Sequence, residues 1–386
     1  MVLKYPRLLT IPETSFFLFG MRGVGKTAWT REEFPTARRI DLLHEAVYQS
    51  YLADTRLFRR ELADAKPQDW VIIDEVQRLP WLLNEVHALI EERNLRFALL
   101  GSSARKLRQQ GVNLLGGRAL QKTMSPLLPE ELGSDFSLDQ VLRFGSLPLI
   151  WTSPSKEEQL AAYVQLYLKE EIQAEALVRN LPGFARFLPV ASLFHAQVLN
   201  VVGLARDAGV ARTTVQGYLD ILEDTLLAFR VQPFEGRLRV RQRRHPKLYW
   251  LDSGVARAAR RQLHPPSAEE RGALFEGLIA QILRARRALD PSLYDELFYW
   301  AVGKTALEVD FLLQRGDRYV AIEVKAKERL ETRAFHGLRA IAELPGVSRR
   351  ILVYLGDRRF RHEEGIEVLP FDDFLAEIRN GLQIDM

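Results

Sequence analysis

Gly20-Met21-Arg22-Gly23-Val24-Gly25-Lys26-Thr27 spaces its glycines, lysine and hydroxyl as G-x-x-x-x-G-K-[ST]. Such glycines let successive backbone N–H groups curl around anionic oxygens, and a helix N-terminus beyond them favours negative charge. Gly20, Arg22, Gly23, Val24 and Gly25 would form the cradle, with Lys26 on the β- and γ-phosphates of ATP and Thr27 on Mg²⁺. A second group is Trp70-Val71-Ile72-Ile73-Asp74-Glu75, an apolar run ending in two carboxylates. A buried parallel strand there delivers Asp74 to the Mg²⁺ shell and Glu75 to the attacking water. Ser102, after the apolar run Arg96–Leu100, is a candidate γ-phosphate sensor, with helix capping as the equal alternative. Arg118, after Gly116-Gly117, is a candidate arginine finger for a neighbour's nucleotide or its own; a plain surface arginine is the rival reading.

A different chemistry sits near the C-terminus. Leu307–Leu313 and Tyr319–Lys325 flank Arg315-Gly316-Asp317-Arg318, and Gly-Asp suits a two-residue hairpin turn. Pairing Arg315 with Arg318 and counting back sets Asp310 opposite Glu323 and Glu308 opposite Lys325, all on one face. Two opposed carboxylates destabilise a bare sheet. A hard divalent cation, Mg²⁺ or Mn²⁺, between Asp310 and Glu323 removes the conflict, with Lys325 on the same face and Glu276 a candidate addition from a helix. Neutralisation of the pair by Lys325 alone is the competing account.

Between these groups lies a third. Ala205, Gly209, Val215 and Tyr218 have the spacing of a helix-turn-helix, its second helix capped by Thr213 or Thr214. Arg212, Thr213, Gln216 and Gly217 would then face outward, toward a major groove. Ala228–Phe234 and Leu238–Trp250 read as the two strands of a wing. Arg237, Arg239, Arg241 and Arg243 share one face of the second, and Arg244 and Lys247 extend the charge. Aligned guanidiniums need an acidic partner, and nucleic-acid phosphate is the common one; an acidic protein surface is the alternative.

The elements that must position these residues follow from periodicity. Strands at Phe16–Phe19, Ala37–Leu43, Trp70–Asp74, Arg96–Leu100 and Ala119–Pro126 alternate with helical segments such as Glu45–Ala65. They predict a parallel α/β nucleotide domain over residues 1–128, with the site at the strand ends. Residues 129–195 lose strand character and read as a helical connector or lid. A winged helix-turn-helix over 196–264 precedes an α/β domain over 265–386, where Leu330–Leu344 predicts a helix and Arg350–Leu355 a strand.

Composition narrows the class. The 386 residues suffice for several cores, and 47% hydrophobic with 27% charged content is that of a soluble globular chain. Cysteine is absent, which excludes disulfides, thiol catalysis and cysteine-ligated metal and fits the cytoplasm. No apolar run is long enough to span a bilayer, so no membrane role is expected. The net charge of +4 is a mild bias toward acidic partners.

Together GMRGVGKT, VIIDE, LLGSS, LLGGR, AGVARTTVQGYLDILEDT, PKLYWLDSGVA, LFEGLIA, EVDFLL and AIEVKAK resemble one family over nearly the whole chain. It comprises prokaryotic AAA-type P-loop ATPases with a C-terminal PD-(D/E)XK nuclease-like domain of unknown function. The resemblance implies ATP hydrolysis with Mg²⁺, a homo-oligomer with a ring-shaped hexamer foremost, and DNA, duplex or branched, as partner. The leading expectation is a DNA-processing motor of repair or recombination type. The alternatives are a Mg²⁺-dependent DNA nuclease regulated by ATP and a nucleotide-controlled switch binding DNA or protein.

Overall fold

A computed structural model describes residues 5–103, 115–167, 181–235, 245–302 and 307–384. The chain divides into two units, the first made of residues 1–136, 147–152 and 224–227. Within it, Phe16–Phe19 forms β1, fully buried, as expected for a strand covered on both faces. With β2 (Arg38–Asp41), β3 (Trp70–Asp74), β4 (Arg96–Gly101) and β5 (Leu120–Thr123) it builds a five-stranded sheet in the order β2-β3-β4-β1-β5. All pairings are parallel, so the C-terminal ends of β1, β3 and β4 share one edge. That edge is where an open α/β sheet places its ligands.

Helix Lys26–Glu33 springs from the end of β1 and packs Trp29 edge-on against Phe16. Phe34 and Trp70 complete that aromatic cluster, which fixes the helix against the sheet. The expected helix over Glu45–Ala65 is instead two, Glu45–Ala53 and Leu57–Glu61. Asp54 breaks it, since its Oδ1 accepts the Arg56 N–H at 2.9 Å in place of a helical bond.

The second unit holds residues 137–146, 153–223 and 228–386, so the expected connector (129–195) is divided between the units, and most of 196–264 shares a unit with 265–386. Helices Val201–Ala208 and Arg212–Asp224 form the helix-turn-helix, with Gly209 in the left-handed region (φ 63°) at the turn. Asn200 caps the first helix, and Tyr218 of the second packs on Phe184 and Phe187. The expected cap at Thr213 or Thr214 is not formed: the carbonyl of Ala211 already accepts from Val215, so both threonines lie inside the helix.

Nine strands make one sheet, in the order β13-β14-β12-β11-β10-β9-β7-β8-β6. They are β6 (Gln197–Val198), β7 (Ala228–Pro233), β8 (Lys247–Trp250), β9 (Glu296–Ala301), β10 (Glu308–Arg315), β11 (Arg318–Lys325), β12 (Val347–Tyr354), β13 (Phe360–Arg361) and β14 (Glu367–Pro370). The two wing strands do pair antiparallel as β7 and β8, but β7 also pairs parallel with β9. Strands β7 and β8 thus extend the C-terminal sheet.

The β10–β11 hairpin has the expected register, Arg315 opposite Arg318 through Phe311 opposite Ile322. The expected helix Leu330–Leu344 is three short turns, Thr332–Phe335, His336–Ala340 and Ile341–Glu343. Gly337 packs so closely there that an added Cβ would stand 1.9 Å from the Glu308 carbonyl oxygen.

Candidate functional site

Glycines at left-handed φ shape the loop after β1: Gly23 at 76° and Gly25, the N-cap of helix Lys26–Glu33, at 99°. Lys26 is buried and its Nζ donates to the carbonyl oxygens of Gly20 (2.6 Å) and Met21 (3.3 Å), closing the loop on itself. Thr27 Oγ1 donates to Asp74 Oδ2 at 2.5 Å, joining the helix start to the end of β3. A hydroxyl and a carboxylate so joined fit Mg²⁺, which when bound with ATP neutralises charge on the phosphates. Val24 is buried beneath the loop, whereas Arg22 is exposed.

Glu75 follows Asp74 in the left-handed region at φ 56°, an unfavourable conformation for a non-glycine residue. Burial raises its carboxyl above the usual range; Lys26 opposes the shift and Asp74 adds to it. Gln77, itself buried, donates from Nε2 to Glu75 and to Ser102 Oγ, the latter at 3.3 Å. Gly101 makes room for this amide, because a Cβ there would stand 2.6 Å from Gln77 Oε1. Ser102, buried at the end of β4, therefore joins the site through Gln77. Sequence reasoning missed Gln77, whose role depends on the turn after β3.

It also missed Arg7, in the approach segment. Arg7 is ion-paired with Glu131 at 3.0 Å and donates to the Val24 carbonyl at 2.8 Å, so it holds the phosphate loop from behind.

Arg118 lies elsewhere. Leu120, at the start of β5, pairs with Phe16 at the start of β1, which puts Arg118 at the sheet end away from Lys26. It is exposed and ion-paired with Glu91. That end of the sheet is away from its own nucleotide site, and the pairing with Glu91 is one that a plain surface arginine makes.

In the second unit, Glu308 and Asp310 of β10, Glu323 and Lys325 of β11 and Glu276 of helix Ala268–Leu289 converge. Lys247, expected on the nucleic-acid face, is among them instead. It is 2% exposed, and its Nζ meets Glu276 Oε1 at 2.9 Å, Asp310 Oδ1 at 3.3 Å and Glu308. Tyr249, two residues on, donates its hydroxyl to Glu276 at 2.6 Å. Lys325 pairs with Glu323 Oε1 at 2.5 Å, and Asp310 Oδ2 accepts the Val324 N–H at 2.9 Å.

Burial would lower the Lys247 ammonium, but the surrounding Glu276, Tyr249, Asp310 and Glu308 hold it well above the ordinary lysine value. Burial, with Asp310 adding, lifts Glu276 to about 7 and Glu323 to about 8. Among the described residues no three His, Asp or Glu side chains are placed to share a metal ion. Of the carboxylates expected to hold a cation, Glu276 and Asp310 face Lys247 and Glu323 faces Lys325. The signal in the sequence was the β-strand alternation of Lys247 with Tyr249, which puts both on one face.

Of the expected nucleic-acid contacts, Arg212, Thr213 and Gln216 are exposed on the second helix of the helix-turn-helix. Arg237, Arg239, Arg241, Arg243 and Arg244 lie outside the described residues.

The first of these sites falls within a match to a known family. Residues 13–133 match the family model described as an AAA domain. This match supports an AAA-type ATPase domain in that part of the chain. Residues 135–265 and 271–374 match two domains of unknown function, DUF8612 and DUF4143. An uncharacterized protein of Mycobacterium tuberculosis is 28% identical over 369 residues, covering 93% of this chain and 80% of the relative. One of Haemophilus influenzae is 21% identical, covering 83% and 81%. Among solved structures, the Aeropyrum pernix ORC1 protein in complex with DNA is 13% identical with a TM-score of 0.25, covering 71% of this chain and 89% of that one. Protein VC1899 from Vibrio cholerae is 14% identical with a TM-score of 0.23, covering 95% and 97%. Neither likeness is strong enough to carry a fold assignment.

Proposed function

We propose that this AAA-type ATPase couples ATP hydrolysis at Lys26 to DNA held by the second half of the chain. The observation that carries the reading is a P-loop constellation of Lys26, Thr27, Asp74 and Glu75 in one chain with a helix-turn-helix whose second helix exposes Arg212, Thr213 and Gln216. The arginine row from Arg237 to Arg243 adds the charge that a phosphate backbone requires. In this reading Lys26 and Mg²⁺ hold the triphosphate, Glu75 orients the water, and Ser102 with Gln77 fixes Glu75. Arg118 reaches the nucleotide of a neighbour in a ring-shaped homo-oligomer, a hexamer by preference, and the work done is movement or remodelling of DNA. Metal-dependent strand cleavage is left out, because Lys247 sits among the carboxylates that it would need.

The test is ATP turnover by the full chain with duplex, single-stranded and forked DNA. At least one DNA should stimulate it, and binding should weaken steeply with salt. R212A/Q216A should lose the stimulation and keep the basal rate. Unchanged turnover, with no salt-sensitive binding of any DNA, would overturn the proposal.

A further inference from the structure

We infer that Lys247 is the resident cation of the C-terminal carboxylate cluster: its ammonium takes up Glu276 and Asp310, two of the carboxylates on which a nuclease-like layout would place a divalent metal ion. Three observations carry this. Lys247 Nζ is shared by Glu276, Glu308 and Asp310, which come from a helix and a strand, so one point in space already has a positive charge facing three carboxylates. The carboxylate oxygens are also committed. Asp310 Oδ1 faces Lys247 and Oδ2 accepts from the Val324 N–H, while Glu276 Oε1 accepts from Lys247 and from Tyr249. Finally, the lysine is locked by backbone on both sides, because β8 pairs Lys247 with Val231 of β7 and with Val198 of β6.

A divalent ion of the Mg²⁺ type demands near-octahedral oxygens at about 2.0–2.1 Å. An ammonium instead takes its acceptors at hydrogen-bond distance and needs no such shell. Among the described residues, Glu323 Oε2 is buried without a hydrogen-bond partner, yet one oxygen does not make that shell. Lys247 cannot leave without separating three ion pairs in a buried site, and the ring of Tyr299 lies 5.6 Å from its Nζ. The cluster is thereby a self-contained electrostatic knot tying β8, β10 and helix Ala268–Leu289. Nothing in this depends on the ATPase reading.

The experiment is a Mn²⁺ titration of the nucleotide-free full chain, followed by electron paramagnetic resonance of free Mn²⁺. Wild type and D310N should bind the same amount. K247M keeps the length of the side chain and removes its charge, so it should bind one more Mn²⁺ per chain than K247M/D310N. Wild type binding one Mn²⁺ more than D310N would overturn the inference, and so would a folded K247M without the gain. Should K247M fail to fold, the comparison of wild type with D310N decides alone.

Discussion

Glu75 is held by a neighbour two residues away that spacing alone would not nominate. Gln77 donates to it and thereby favours its ionised form, against the burial that raises its carboxyl. A base must be ionised to work, so turnover falls as pH drops through the Glu75 pKa. Removing the amide in Q77A raises that pKa further, and the acid limb of kcat/KM should move to higher pH. An unmoved limb would mean that Gln77 only packs. E75Q should keep ATP binding and lose about 10²-fold or more in kcat, checked by nucleotide-binding and single-turnover assays. Lys26, Thr27 and Asp74 were legible because a phosphate loop ties chemistry to local spacing. Gln77, Arg7 and Lys247 were not, because their partners are set by turns and strand neighbours: Arg7 meets Glu131, and Lys247 meets Asp310.

Among the elements, the hairpin was readable from Arg315 opposite Arg318 to Phe311 opposite Ile322, since a two-residue turn fixes the pairs behind it. The β7–β9 pairing was not, for it joins Gln232 to Phe298 with no local signal between them. Nor was the contact behind the LFEGLIA stretch. A Cβ on Gly277 would stand 2.0 Å from Nε2 of His195, a ring buried so completely that its pKa falls to about 3. G277A should therefore destabilise the second unit by about 1–3 kcal/mol, read by denaturant unfolding. The hairpin also carries a pH signature. Glu323 is lifted from 4.5 to about 8 by burial and Asp310, so between those values the unfolded chain has released a proton that the folded chain keeps. Stability from this group falls as pH rises through that window. E323Q removes the penalty, and its melting temperature should gain on wild type between pH 5 and pH 8. A gap that stays constant would remove Glu323 from the account.

At the scale of the molecule, the proposed role of Arg118 at a neighbour's nucleotide needs a second copy of the chain, since Arg118 lies at the sheet end away from its own Lys26. R118A should bind ATP and hydrolyse it about 10³-fold or more slowly. Mixing it with K26A should restore part of the rate, because each subunit supplies what the other lacks; no recovery on mixing would leave Arg118 a surface residue. The placement of β7 has a practical outcome as well. Its two edges are both taken, one by β8 and one by β9, and the Phe234 N–H adds a bond to the Tyr299 carbonyl at 2.7 Å. A fragment ended after residue 264 would leave that second edge bare, an invitation to pair with another molecule. Attempts to isolate the helix-turn-helix by truncation should thus yield aggregates, while pieces that keep the whole C-terminal sheet stay in solution.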